Sequence, residues 1–527
     1  MRYFWLVAAL ALLASGRGRV AASIDVRSGD DLQAALDAAR PGDSVRLDAN
    51  TVYVGHFRLP ARSGTDTTPI TLETGGTPAV PECRRIGPSL ASKLAKLKSP
   101  DHAPVLTTAP GARFWNVRLV EFLANADGAG DIVALGDGSA AQRSLDSVPA
   151  DLTLDRVYIH GDPRLGQKRG IALNSARTTV SNSYIADIKS VDQDSQAIAG
   201  WNGPGDYTIE NNYLEASGEN ILFGGADPAI PYLVPTNIVI RGNTISKPLA
   251  WHDPAAPWVV KNLVELKNAA EVTVDQNIIE HSWPQAQSGF AIVLTTRNQD
   301  GGCPWCQVQQ VHFTGNLVRD VAAGINVLGY DDTHVSRQTN GITFRNNVFD
   351  GIDRKTWGGS GYFLQMTNNP QDIVIDHNTV VSGDSGGIAL IENSVAGFAF
   401  TNNIATVGEY GIAASGRGLG NDAIRASLPG ANITGNILVG AIAGSYPAGN
   451  IFPTAEQFYA QLMNFAAHDL RLKPSSPWTN AATDRTTPGA NGPNGAPLPV
   501  YDPALTPCLS RDRSGPVKRT LGLEDQE

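Results

Sequence analysis

One short motif recurs nine times across the middle of the chain and constrains the fold more than any other feature. In each copy an apolar residue precedes three polar or glycine positions, and a second short apolar strand follows. The third of these positions is Ser183, Asn212, Asn243, Asn277, Asn316, Asn347, Asn378, Asn403 and Asn436, with steps of 29, 31, 34, 39, 31, 31, 25 and 33 residues. Repeats of this length are typical of solenoids, whose coils bury their apolar faces against one another.

The repeated asparagines indicate a structural role. Asparagine tolerates left-handed backbone angles and hydrogen-bonds neighbouring backbone groups, so one asparagine per coil can stack into an amide ladder inside a bend. We therefore expect these positions to form one column along the solenoid. The unequal steps must lie in loops, which repeat proteins collect on one face, often the binding face.

A second strand-like segment follows each asparagine strand, as in 262–267, 290–294 and 324–328. The 54 glycines, 33 prolines and 17% of charged residues favour many turns and short strands. We predict an all-β fold, a right-handed single-stranded parallel β-helix of about ten or more coils, with a groove along the second series of strands.

The ends of the solenoid and its boundaries are also predicted from the sequence. Apolar residues at 32, 35, 36 and 39 indicate a short capping helix that begins after Ser28 or Asp30 and covers the open end of the first coil. We expect the cap and first coils over 23–80, irregular early coils over 81–150, regular coils over 151–450, and a last coil and tail over 451–527.

The N-terminus has the pattern of a signal peptide over 1–22, because Arg2 precedes a short apolar stretch and small residues precede Ser23. No later apolar stretch approaches the length of a membrane span. We expect a secreted or periplasmic monomer without a membrane span. The net charge of −10 argues against nucleic acid and would repel a polyanionic glycan unless a cation or basic cluster reversed the local field.

Four cysteines occur, Cys83, Cys303, Cys306 and Cys508, and an exported chain meets oxidising surroundings. The spacing of Cys303 and Cys306 matches a redox motif, but glycines precede it and β-like sequence follows, which is not a thioredoxin-like context. We predict a local disulfide that pins a loop.

Acidic and basic residues converge on the predicted groove. Aligning Lys267 with Arg297 places two cations at equivalent ends of successive strands, and Glu265 points to the same face as Lys267. Asp192, Asp194, Glu215, Glu219 and Asp227 come from the two preceding coils. The cluster is either a charged ladder on a solvated face or a functional site. The same coils carry Trp201, Trp251, Trp258 and Trp283, whose rings could bind sugar or pack loops.

The cap and asparagine motifs over about 25–480 resemble the pectate-lyase-like β-helix superfamily. More narrowly, segment 262–268 followed by Arg297 is similar to the polysaccharide lyases that include chondroitinase B and the alginate lyases. In those enzymes a lysine is the base, an arginine lies on the next coil, and calcium neutralises the uronate. The resemblance implies Lys267 as base, Arg297 as its partner, and Glu219, Asn262 and Glu265 as calcium ligands, whose hard oxygen atoms suit that ion.

The function that the resemblance implies is β-elimination from a uronate-containing polysaccharide. The proton on C5 becomes acidic only when the adjacent carboxylate is neutralised, and a lysine crowded by Arg297 can then remove it. Two alternatives stay open: a glycoside hydrolase that uses two of Asp192, Asp194, Glu219 and Asp227, and a non-catalytic glycan-binding solenoid.

Overall fold

The protein is described by a computed structural model over residues 20–76 and 80–491. Most of the predicted signal peptide and the C-terminal tail with Cys508 lie outside these residues. The chain winds into coils that form three long parallel sheets, one of 14 strands and two of 13. This confirms the right-handed parallel β-helix.

The first sheet carries the strands that precede the asparagine positions. Its strands are Ser23–Val26, Ser44–Leu47, Ile70–Thr74, Arg113–Arg118, Ala150–Asp155, Ala176–Ser181, Gly205–Glu210, Thr236–Arg241, Ala269–Asp275, Val308–Thr314, Asn340–Arg345, Gln371–Asp376, Ala399–Thr401 and Asn432–Thr434.

The second sheet carries the strands that follow the asparagine positions. Its strands are Val52–Val54, Ala95–Lys98, Val120–Phe122, Tyr158–His160, Tyr184–Ile188, Tyr213–Ala216, Thr244–Ser246, Ile278–Ser282, Leu317–Val321, Val348–Ile352, Thr379–Ser382, Ile404–Thr406 and Ile437–Val439.

The third sheet carries the candidate groove. Its strands are Phe57–Leu59, Leu106–Thr108, Asp131–Leu135, Arg169–Leu173, Gln196–Gly200, Glu219–Phe223, Val264–Leu266, Phe290–Thr295, Ala323–Leu328, Tyr362–Thr367, Gly387–Ile391, Ile412–Ala414 and Gly418–Leu419. The last of these strands pairs antiparallel, and so do Leu462–Asn464 and Asp469–Leu472, which form a separate two-stranded sheet.

Helices are short and peripheral. The α-helices are Leu32–Ala38, Arg354–Trp357, Asn421–Ser427 and Ala455–Tyr459. The 3-10 turns are Pro88–Lys93, Ala126–Gly128, Leu145–Ser147, Leu249–Trp251, Ala443–Ser445 and Phe465–Ala467. The first helix buries Leu32 and Leu36, and its N-cap is Asp31 rather than Ser28 or Asp30 because the Asp31 side chain accepts a hydrogen bond from the Ala34 amide. In residues 20–76 and 80–491, no helix is long and apolar enough to cross a bilayer.

The predicted asparagine column is confirmed. Asn212 Oδ1 accepts a hydrogen bond from the Ser183 amide at 2.9 Å, and each later asparagine accepts one from the amide of the preceding member. The ladder ends one step later at Asn450, which accepts from the Asn436 amide. The left-handed backbone belongs to the residue before each ladder position, as in Asn182 with φ of 54°. The ladder asparagine itself therefore supplies hydrogen bonds rather than the unusual backbone angle.

The predicted local disulfide is also confirmed, since Cys303 and Cys306 are bonded to each other. The bridge closes a turn just before the strand Val308–Thr314. Both cysteines are buried.

Candidate functional site on the third sheet

The third sheet presents alternate residues to the core and to the groove. Val264 and Leu266 belong to the hydrophobic core, so Glu265 between them points to the groove. The pairing register places Glu265 beside Leu222 on the preceding coil and beside Val293 on the next.

Lys267 and Arg297 lie in one cleft of about 320 Å³. The cleft is lined by Glu265, Lys267, Gln287, Ser288, Phe290, Val293, Thr295, Arg297 and Asn326. Three successive coils of the third sheet build its floor with Glu265, Val293 and Asn326, which are register neighbours. The structure thus brings the two predicted catalytic residues to one place.

The predicted alignment of Lys267 with Arg297 is wrong by two residues. Leu266 pairs with Leu294, so the register continues from Lys267 to Thr295, and Arg297 follows two positions later. The Arg297 amide donates to the Lys267 carbonyl at 2.9 Å, which holds the two backbones together where the strands end. Arg297 lies two residues beyond the end of the strand Phe290–Thr295, and it still lines the same cleft as Lys267.

Lys267 is held at the cleft wall by a buried carboxylate. Its Nζ lies 3.6 Å from Glu265 Oε1, and the two side chains are 16% and 2% exposed. Burial raises the pKa of Glu265, and the Lys267 ammonium partly offsets that rise. Asn262 Nδ2 fixes the other carboxylate oxygen by donating to Glu265 Oε2 at 2.9 Å.

A glycine beneath Lys267 allows this close packing. Gly224 has a φ of +97°, and a Cβ there would lie 2.8 Å from the Lys267 Cβ and 2.7 Å from the Asn268 amide nitrogen. A side chain at residue 224 would therefore collide with Lys267 and its neighbour, and it would also be strained by the backbone angle.

Arg297 is anchored by two carboxylates. Its Nη1 donates to Asp331 Oδ1 at 3.2 Å and also to Asp332 Oδ1. Although burial opposes it, hydrogen bonds from the amides of Thr333 and Asn298 lower the pKa of Asp331, which keeps that anchor ionised. Both contacts use Nη1, so in the described part of the chain the Nε and Nη2 edge of the guanidinium carries no hydrogen bond.

The three residues predicted to bind calcium do converge, but Lys261 lies among them. Continuing the pairing register places Asn262 beside Glu219 on the preceding coil. Lys261 Nζ lies 3.4 Å from Glu219 Oε1 and also pairs with Asp194. Glu219 Oε1 and Asn262 Oδ1 are buried and have no hydrogen-bond partner among the described residues. Over 20–76 and 80–491, no group of three or more His, Cys, Asp or Glu is arranged to hold a metal ion.

A chain of hydrogen bonds along the third sheet leads to Glu219. Arg169 donates to Asp131 Oδ1 at 2.7 Å and to Gln196 Oε1 at 3.0 Å, and Gln196 Nε2 donates to Glu219 Oε2 at 2.9 Å. These four residues occupy matching register positions on successive strands. The sequence analysis did not identify Arg169, Gln196 or Lys261. Arg169 and Gln196 are the first residues of successive strands, so aligning the strand starts could have placed those two side by side.

The four tryptophans do not line the Lys267 cleft. Trp251 and Trp283 are 7% and 4% exposed and pack in one cluster with Trp258 and Trp357. Of the two roles left open for these rings, their burial in one cluster supports packing rather than contact with sugar. Trp258 is only partly buried, and Lys189 Nζ lies 4.8 Å from its ring centroid.

Trp201 lies in a second cleft on earlier coils, of about 410 Å³. The Arg169 guanidinium covers one ring face at 4.9 Å, and the indole nitrogen donates to the Gly138 carbonyl at 2.9 Å. Asp131, Asp137 and Asn174 also line this cleft. Trp201 is therefore held in place, and it does not line the cleft of Lys267 and Arg297.

The carboxylates considered for a hydrolase have structural contacts. Asp227 Oδ2 accepts hydrogen bonds from the amides of Asp300 and Gly302, which fixes the loop before the disulfide. Asp194 pairs with Lys261, and Asp192 accepts from the Ser190 hydroxyl at 2.9 Å. These contacts favour the cleft of Lys267 and Arg297 as the candidate active site.

Comparison with known proteins gives structural neighbours only, since no family model and no curated protein matches the chain. The PL6 family alginate lyase AlyGC superposes with a TM-score of 0.52 at 14% identity, over 92% of this chain and 59% of that one. A mannuronic acid specific polysaccharide family 6 lyase from human gut microbiota superposes with a TM-score of 0.46 at 12% identity, over 82% of this chain and 83% of that one. Pectate lyase Pel9A superposes with a TM-score of 0.36 at 13% identity, over 90% of this chain and 94% of that one.

The protein thus spans 59% of the length of AlyGC. A sequence identity of 14% supports a shared fold but does not support a shared activity. The long parallel sheets and this superposition show that the chain shares the right-handed parallel β-helix fold of that lyase.

Proposed function

We propose that the protein is an exported polysaccharide lyase that cleaves a uronate-containing glycan by β-elimination. The observation that carries the proposal is the convergence of Lys267 and Arg297 on one cleft of the groove. Each cation has its own carboxylate anchor, Glu265 for Lys267 and Asp331 for Arg297. Mutual repulsion of the two cations is thereby reduced, and both can serve one anionic sugar.

The reaction needs a base and a fixed positive charge. Lys267 Nζ, after it has released one ammonium proton to solvent, removes the proton from C5 of the uronate, and the electron pair forms the C4=C5 double bond. The C4–O bond breaks, and the departing oxygen takes a proton from water. The hydroxide that remains is neutralised by the proton that Lys267 released. Negative charge grows on the uronate carboxylate during proton removal, so a cation aimed at that carboxylate lowers the barrier.

Arg297 supplies such a cation in a fixed orientation. Asp331 and Asp332 hold Nη1, which leaves the Nε and Nη2 edge to form two parallel hydrogen bonds with a carboxylate. Asn326 Oδ1, a buried acceptor without a partner among the described residues, faces the same cleft and can accept a hydrogen bond from a sugar hydroxyl.

The test measures unsaturated products from uronate glycans with three single variants. Lys267→Ala is expected to lower kcat by about 100-fold or more, because general base catalysis contributes on that scale. Arg297→Ala is expected to lower kcat by a similar factor, because the negative charge on the uronate carboxylate is no longer stabilised. Lys98→Ala is the matched control, because Lys98 is an exposed lysine on the second sheet.

All three variants should fold, although Lys267→Ala is expected to melt below the wild type, because it leaves the buried Glu265 carboxylate without its cation. Undiminished cleavage by the Lys267→Ala protein would overturn the mechanism. Reducing ends without unsaturation would instead indicate a hydrolase, and binding without cleavage would indicate a glycan-binding solenoid.

A further inference from the structure

Lys261 lies where the resemblance would put a calcium ion. Its Nζ lies 3.4 Å from Glu219 Oε1 and pairs with Asp194, and its side chain is 15% exposed. The Lys261 amide donates to the Ser217 carbonyl at 3.1 Å, so the backbone is fixed as well. The Lys261 ammonium is thus held against Glu219 on the preceding coil. Lys261 itself immediately precedes Asn262 in the chain.

The oxygen atoms around this position are too few for calcium. Calcium takes six to eight oxygen ligands. Glu219 Oε2 already accepts from Gln196 at 2.9 Å, and Glu265 Oε2 accepts from Asn262 at 2.9 Å. Glu265 Oε1 faces Lys267 at 3.6 Å. Among the described residues, two buried oxygens here have no hydrogen-bond partner, Glu219 Oε1 and Asn262 Oδ1, and the Lys261 ammonium lies beside the first. The residues therefore do not fit a calcium cage.

The charges in this part of the groove are nearly balanced without an ion. Glu219, Asp194 and Glu265 are the acids, while Lys261 and Lys267 are the bases that contact them. A divalent ion next to Lys261 would be repelled by the ammonium at close range. Removal of Lys261 would leave the buried Glu219 carboxylate facing an approaching uronate.

We propose that Lys261 is the resident cation of the groove and replaces the calcium expected from the resemblance, so that side chains alone neutralise the acids around the bound uronate. The role deepens the proposed function and rests on it. Lys261 is a positioning residue, because it acts through Glu219 and Asn262 and leaves the reacting atoms to Lys267.

The binding test is calcium titration by calorimetry on protein freed of metal with chelator. The wild type is expected to show no saturable binding. Lys261→Glu replaces the cation by a carboxylate beside Glu219, Asn262 and Asp194, and it is expected to bind one calcium ion with a Kd of about 10⁻⁵–10⁻³ M. Lys98→Glu makes the same charge change on the second sheet and is expected to gain no binding. Saturable binding of one calcium ion by the wild type would overturn the inference, whatever the variants do.

The activity test uses the wild type and Lys261→Gln. Chelator is expected to leave wild-type kcat/KM unchanged, and Lys261→Gln is expected to raise KM for a uronate glycan by about 10-fold, in keeping with one lost charge interaction. Loss of wild-type activity in chelator with recovery on added calcium would contradict the inference. If no uronate glycan is cleaved by any form, the proposed function fails, while the calcium titration still decides the role of Lys261.

Discussion

Lys247 supports the cleft from inside the solenoid. It is fully buried, and its Nζ donates to the carbonyls of Ala216 and Gly218 at 2.8 and 2.7 Å. It also donates to the Ser217 carbonyl and to Asn220 Oδ1, both at 3.1 Å. These acceptors flank Glu219, so one side chain fixes the turn that presents the carboxylate to Lys261.

Replacing Lys247 with methionine is expected to cost about 3 kcal/mol, because several buried acceptors lose their donor. Burial lowers the pKa of Lys247 to about 7. Between that value and the ordinary lysine pKa the unfolded chain binds more protons than the folded one, so the stability of the wild type rises with pH. The neutral amine still donates hydrogen bonds, but no charge is then buried.

The measurement is the melting temperature of wild type and Lys247→Met from about pH 5 to about pH 9. The gap between the two proteins is expected to stay constant below about pH 7 and to widen above it. A gap that stays constant up to about pH 9 would mean that the folded state holds Lys247 charged.

At the scale of the element, the asparagine ladder links each coil to the next. Asn316 Oδ1 accepts from the Asn277 amide and from Asn277 Nδ2, each at 2.9 Å, and its Nδ2 donates to the Val274 carbonyl at 2.9 Å. The residue is buried, so no water replaces these partners when the side chain is removed.

Asn316→Ala is expected to destabilise the solenoid by about 2–3 kcal/mol, because it leaves a buried amide of the neighbouring coil without an acceptor. Asn432→Ala is the matched control, since that asparagine lies exposed on the last strand of the first sheet and is expected to change stability by less than about 0.5 kcal/mol. Hydrogen exchange should rise first around residues 274–278 in the Asn316 variant. Equal losses of stability in the two variants would mean that the ladder does not stabilise the solenoid.

The asparagine ladder was predictable because the same position of each coil makes the same hydrogen bond to its neighbour, so asparagine recurs there in the sequence. The site was predictable only in part. Glu265 lies on the strand Val264–Leu266 and Lys267 follows it directly, so period-two alternation was enough to place them together. The offset of Arg297 by two residues was not predictable, because the strand Phe290–Thr295 is longer than its neighbour Val264–Leu266.

Contacts between distant segments were also beyond the sequence. The Asp194 partner of Lys261 lies 67 residues earlier in the chain. The burial of Trp251 and Trp283 follows from the packing of several loops, which composition does not reveal. Local repetition therefore predicts the scaffold, while the ion pairs that define the cleft depend on loop lengths between coils.

At the scale of the whole molecule, a chain of net charge −10 presents a local basic cleft. Fixed cations on a rigid solenoid can attract an anionic glycan that the overall charge would repel. The parallel sheets extend the groove well beyond the cleft, with Trp201 in a second cleft several coils earlier. A long polymer that follows the third sheet fits this arrangement.

The most direct measurement is product analysis after the chain is incubated with a panel of uronate and neutral glycans. At least one uronate polysaccharide is expected to yield products with a C4=C5 double bond, seen as new ultraviolet absorbance and as chain ends that lack one water in mass spectra, while neutral glycans stay intact. Cleavage that yields only saturated, hydrated ends would contradict the proposed β-elimination, and so would intact uronate glycans throughout the panel.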